Sequence, residues 1–126
     1  METVISYGQT EEFKKDFKKL LKKYRSSEED LKLAKIAAIE LFHLKKINNL
    51  SIFSISGCCT EDILICKLKK FACKALKGRG SKSGIRIIYA FHMKTLRVDF
   101  IEIYFKADQE NEDRERIKQY LNNSNL

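Results

Sequence analysis

Residues 83–92 read SGIRIIYAFH, and the fold turns on how that run is taken. In an extended chain Ile85, Ile87, Tyr89 and Phe91 fall on one side, and Arg86, Ile88, Ala90 and His92 on the other. Both sides are largely apolar, which predicts a central strand in a sheet covered on one face by helices. Arg86 interrupts the apolar pattern. A guanidinium set among apolar neighbours needs an anion: either a carboxylate inside the fold, for which Glu102 on the next strand is the candidate, or a phosphate outside it.

Working outward, Met93–Leu96 reads as a hairpin connection. The run VDFIEIYFK (98–106) belongs to a second strand, Arg97–Lys106. Strict alternation puts Ile101, Ile103 and Phe105 on one face and Phe100, Glu102, Tyr104 and Lys106 on the other. Asn111 is placed to cap a last helix, with Glu112 and Asp113 in its first turn and Ile117 and Leu121 facing inward. Upstream, a β-like pattern runs from Ile63 to Cys73, and Asn48–Asp62 reads as a loop or an irregular edge piece.

The first third of the chain is helical in pattern after a short opening strand at Thr3–Tyr7. Thr10 is an N-cap with Glu11 and Glu12 in the favourable first turn. Phe13, Phe17, Leu20, Leu21 and Tyr24 then form one apolar stripe, with six lysines covering the other side. Ser26 and Glu29 have capping-box spacing, and Leu31, Ala34, Ala38, Leu41 and Phe42 carry a second stripe to about Lys46. His43, late in that helix, reads as a surface or cap residue, since a cation is mildly favourable at a helix C-terminus. The order predicts one α+β domain over 1–126. It is a small antiparallel sheet with an N-terminal helical hairpin packed on one face and a short C-terminal helix.

Charge is unevenly spread. The net charge is +8, yet no acidic residue lies between Asp62 and Asp99, an interval holding ten lysines and arginines. The remaining fifteen basic residues face seventeen acidic ones, so the rest of the chain is near −2. A basic block of this density attracts polyanions, nucleic acid or an acidic protein. Four cysteines without a CxxC pair, and two histidines, give no zinc-ligand spacing. No basic-then-apolar leader opens the chain and no apolar stretch approaches a membrane span, which predicts a cytoplasmic protein with reduced thiols and no membrane partner.

SGIRIIYAFH, the hairpin, and VDFIEIYFK, with CKALKGRG (73–80) before them and IEIYFKADQENEDRERI (101–117) after, resemble the RelE/ParE superfamily of toxins from bacterial toxin–antitoxin pairs. The resemblance is weak over 1–62 and best over 65–121. It implies a RelE-like toxin that cleaves mRNA in the ribosome's decoding site, without metal or other cofactor, and is held inactive by a cognate antitoxin protein. The implied reaction is attack of a ribose 2′-OH on the adjacent phosphate, which needs a base, charge neutralisation and an acid for the leaving 5′-oxygen. By the same resemblance Arg86 binds the phosphate, Lys74 is base or electrostatic stabiliser, and Lys106 gives a further phosphate contact. Lys67, Lys69, Lys70, Lys77, Arg79 and Lys82 form the RNA-binding surround. His92 is a further acid–base candidate. No tyrosine stands near Arg114, Tyr120 being too far along its helix, and the turn 76–84 is longer than the family's usual hairpin. These departures keep open a non-catalytic, ParE-like protein-binding toxin, or a nucleic-acid-binding protein on the same scaffold.

Overall fold

The computed structural model describes residues 4–47, 51–69, 71–73, 75 and 83–124. In chain order the elements are β1 (Ser6–Gln9), α1 (Glu11–Lys23), α2 (Ser27–Ala34), a π-helical segment (Lys35–Glu40), α3 (Leu41–Lys45), β2 (Ile52–Ser54), β3 (Ile63–Leu68), β4 (Ile85–His92), β5 (Arg97–Phe105) and α4 (Arg114–Ser124). The strands form one sheet in the order β1-β5-β4-β3-β2, so the strand expected at the centre is there. The sheet is mixed, not antiparallel throughout: β1 lies parallel to β5, while the other neighbours are antiparallel. A strand that leads straight into a helical crossover can return to its own sheet in a parallel sense, and here it closes the outer edge of β5.

Both faces of the sheet are packed, where helices on one face were expected. Phe13, Phe17, Leu31 and Ile39 from the N-terminal helices bury Ile85, Ile87, Tyr89, Phe91, Val98, Phe100 and Ile103. On the opposite face Ile117 of α4 meets Ile65, Ile88, Ala90 and Ile101, with Tyr120 and Leu121 at the margin. This explains why β4 is apolar on both sides.

The strict alternation expected along β5 fails at one point. Ile88 pairs with Glu102 but Tyr89 pairs with Phe100, leaving Ile101 as the extra residue of a β-bulge. Before the bulge Val98 and Phe100 face the N-terminal helices; after it Ile103 does, so Ile101 and Glu102 both turn toward the α4 side.

Local capping is as expected at Thr10, whose hydroxyl accepts from the Phe13 amide at 3.1 Å. It is not as expected at Ser26, which makes no cap bond to its helix. Its Oγ instead donates to Asp30 Oδ2 at 2.7 Å and accepts from the Ala75 amide at 2.8 Å, fastening the start of α2 to the chain beyond β3. At α4 the cap is Asp113, not Asn111: its Oδ1 accepts from the Arg116 amide at 3.2 Å. The π-helical segment has its own cause. Tyr7 Oη donates to Glu40 Oε2 at 2.8 Å, and Lys35 Nζ lies 4.6 Å from the centre of the same ring. Residues five apart diverge by about 140° on an α-helix, so one wider turn is needed to bring both onto Tyr7.

His43 is a correction. It is buried, not at the surface: Nε2 lies 2.8 Å from Tyr89 Oη, and the ring stacks on Phe91 at 4.0 Å. Its place four residues after Ile39 sets it on the inward stripe, and tertiary burial overrides any capping preference. Burial, with a smaller push from Lys46, lowers its pKa from 6.5 to about 4.

Candidate nucleic-acid interface

Cross-strand register assembles the site from residues far apart in sequence. On the α4 side of the sheet, Phe53 of β2 pairs with Lys67 of β3, which pairs with Ile88 of β4. One row further toward the strand ends, Arg86 pairs with Tyr104 and donates from Nη1 to the Lys69 carbonyl at 2.8 Å. Residues opposite one another, or two apart on a strand, share a face. Phe53, Lys67, Lys69, Arg86 and Tyr104 therefore stand together at the end of the sheet nearest Gly84, with Tyr104 buried under the approach to α4.

The segment leading into α4 closes this group from above. Glu112 Oε1 lies 2.6 Å from Lys67 Nζ, and Arg114 Nε lies 3.5 Å from Glu112 Oε2. Arg114 Nη1 also donates to the Ser56 carbonyl at 3.3 Å. A cleft of about 230 Å³ remains between them, walled by Phe53, Ser54, Lys67, Lys69, Asn111, Glu112 and Arg114. Lys69 Nζ sits 4.5 Å from the centre of the Phe53 ring.

The electrostatics follow from partial burial of opposite charges. Burial alone would raise the Glu112 pKa, but the bond from Lys67, the backbone and the Arg114 charge bring it below its ordinary value. Burial would lower that of Lys67, yet Glu112 and Tyr104 hold it above the usual lysine range. Both groups are ionised across the neutral range. Burial also raises the Tyr104 pKa, with Lys67 pulling against it. The Tyr104 hydroxyl is buried and completes no aligned hydrogen bond, Lys67 being near enough to bias it but directed at Glu112. Lys67→Met is expected to cost about 2 kcal/mol, because Glu112 loses its partner inside a partly buried wall. Lys67→Met combined with Glu112→Gln should recover most of that cost. Urea unfolding of the single and double variants checks this; a double variant as unstable as the single one would assign the loss to packing.

Of the residues marked out by sequence, Lys67, Lys69 and Arg86 are brought together. Lys106 lies just past β5 at the end of the same face, its amide bonded to the Gly84 carbonyl at 2.8 Å; among the described residues no ion pair joins its ammonium to the group. Lys70, Lys74, Lys77, Arg79 and Lys82 fall outside the described residues. Glu102 is not the partner of Arg86. It is buried, and its two oxygens accept from Gln109 Nε2 and the Asp113 amide, both at 2.9 Å. Phe53, Tyr104, Glu112 and Arg114 were not marked out by sequence. Only strand register reveals Phe53 and Tyr104, and only the approach of α4 reveals the other two.

His92 does not join this site. It stands six positions along β4 from Arg86, roughly 20 Å away. There His92 Nε2 lies 2.5 Å from Tyr120 Oη, which donates to Asp99 Oδ2 at 2.7 Å, while Arg97 Nε donates to Asp99 Oδ1 at 2.8 Å. This group fastens the C-terminal half of α4 to the far end of the sheet. No helix among the described residues is long and apolar enough to cross a membrane. No family model, no curated protein and no solved structure matches the chain.

Proposed function

We propose that the protein is the toxin component of a type II toxin–antitoxin pair and acts as a ribosome-dependent mRNA endoribonuclease. The observation that carries the reading is the convergence of Arg86 and Lys69 with Lys67 on one face, with Arg86 tied to a carbonyl and, among the described residues, to no carboxylate. A guanidinium held by one nitrogen through a backbone oxygen keeps the rest of its planar fork for a phosphate. In this reading Arg86 and Lys69 neutralise the phosphoryl oxygens. Glu112 is the carboxylate on the cleft wall: its pair with Lys67 lowers its basicity, and it takes the 2′-hydroxyl proton once an incoming phosphate has drawn Lys67 away. The hydroxyl oxygen bonds to phosphorus as the bond from phosphorus to the 5′-oxygen breaks; the 5′-oxygen takes a proton from water, Glu112 returns its proton to solvent, and a 2′,3′-cyclic phosphate remains. No oxidant, metal or cofactor enters that balance.

The test is a defined message on translating ribosomes, with cut ends mapped by primer extension. Purified protein is expected to cut, and Arg86→Ala to slow cutting by about 100-fold while its folding is unchanged. Failure of the wild-type protein to cut any message, with no growth arrest on expression, removes the reading. One observation favours a second, non-catalytic reading: Glu112 already occupies Lys67, so part of the basic block is spent internally. If growth arrest survives Arg86→Ala with Lys69→Ala in a folded protein, the toxin works by protein contact.

A further inference from the structure

Phe53 is out of place for a merely structural aromatic. It sits on a three-residue edge strand, remains 41% exposed, and lies on the wall of the cleft that holds Lys67, Lys69 and Glu112. The large fully buried aromatics, Phe13, Phe71, Tyr89 and Phe100, are all in the core. Its ring carries the Lys69 ammonium at 4.5 Å, so a cation and an aromatic surface are presented side by side. Arg86 stands two strands away, roughly 10 Å across the sheet, with Lys69 between them. An aromatic face next to cations, spaced across a strand from a guanidinium, matches the two chemistries of one nucleotide: a flat π-surface and a phosphate.

We infer that Phe53 is a stacking platform for one unpaired nucleobase of a single-stranded RNA whose adjacent phosphates lie on Lys69 and Arg86. This rests on the phosphate-binding reading of the same face. The base enters as a face, which a duplex cannot offer because its bases are already stacked on one another, so the ligand is single-stranded. Asn111 lines the same cleft and brings hydrogen-bonding groups for the edges of a stacked base. Stacking tolerates every base, so the platform sets where the strand sits more than which sequence it has.

The chain has no tryptophan, so Phe53→Trp installs the only indole and reports directly on this ring. The probes are a uridylate hexamer, the same hexamer with abasic riboses, and inorganic polyphosphate, each titrated at low salt. Indole emission is expected to quench with the hexamer and to stay constant with the two probes that lack bases. Phe53→Ala, and Phe53→Leu, which keeps the bulk at the strand edge, should weaken hexamer binding by about tenfold or more and leave abasic binding unchanged. If the hexamer and its abasic form bind equally, if Phe53→Ala changes neither, and if Arg86→Ala weakens both, the platform is overturned and the phosphate reading stands. If no probe binds the wild-type protein at low salt, both fall.

Discussion

Phe100→Ala is expected to cost about 4 kcal/mol, a large part of the 5–15 kcal/mol that holds a domain of this size together. Phe100 is fully buried where three aromatics meet: it stacks on Phe13 at 5.2 Å and on Tyr7 at 5.9 Å, and meets Tyr89 edge-on at 6.3 Å. These partners come from α1, β1 and β4, so the ring joins the parallel edge strand, the first helix and the central strand. It is also the last residue before the bulge, and its carbonyl accepts from the Thr10 amide at 3.0 Å, so the backbone around the void is pinned and cannot collapse to fill it. Urea unfolding should show a lower midpoint with an unchanged slope. A loss below about 1.5 kcal/mol would mean the site relaxes freely, against the pinning described here.

The second large effect is a loss of stability in mild acid through His43. Its folded pKa of about 4 lies below the unfolded value of 6.5. Between those limits the unfolded chain takes up a proton that the folded chain refuses, so stability rises with pH across the window. The contribution is complete above about pH 6.5 and is lost as the pH falls toward 4, to a total of about 3 kcal/mol. Burial is the main cause, with Lys46 adding to it, and the Tyr89 hydroxyl is the partner of the neutral ring. His43→Gln keeps a hydrogen-bonding side chain without the titration. Subtracting its unfolding free energy from that of the wild type at each pH removes the carboxylates common to both, Glu112 among them. A difference that stays flat from pH 7 to 4 would show that His43 does not carry the linkage.

Those two residues also mark where sequence reading succeeds and where it stops. The apolar run of β4, the connection at Met93–Leu96 and the stripe of α1 are local patterns, and each appears where its period places it. The parallel pairing of β1 with β5 joins residues about ninety positions apart, and no local period encodes it. The bulge at Ile101 carries no glycine or proline to announce it, so alternation misplaces the faces of the second half of β5. His43 sits at an apolar position of its helix, but its chemistry invites a polar reading. At the candidate site the charge run exposes Lys67, Lys69 and Arg86. Phe53 and Tyr104 are ordinary strand residues until register sets them beside those cations, and Glu112 looks like a first-turn acid until it meets Lys67.

The last helix is held along its length: before its first turn by Glu112 to Lys67 and by the Asp113 amide to Glu102, in its first turn by Arg114 to the Ser56 carbonyl and Arg116 to Asp16, and near its end by Tyr120 to Asp99 and His92. Parting Lys67 from Glu112 therefore undoes one fastening among several at that end. In the proposed reading an anion reaching Lys67 takes the place of Glu112 on it, the carboxylate keeps Arg114 as its neighbour, and the helix stays seated on the sheet. The doorway is chemical, and the wall beside it does not have to move.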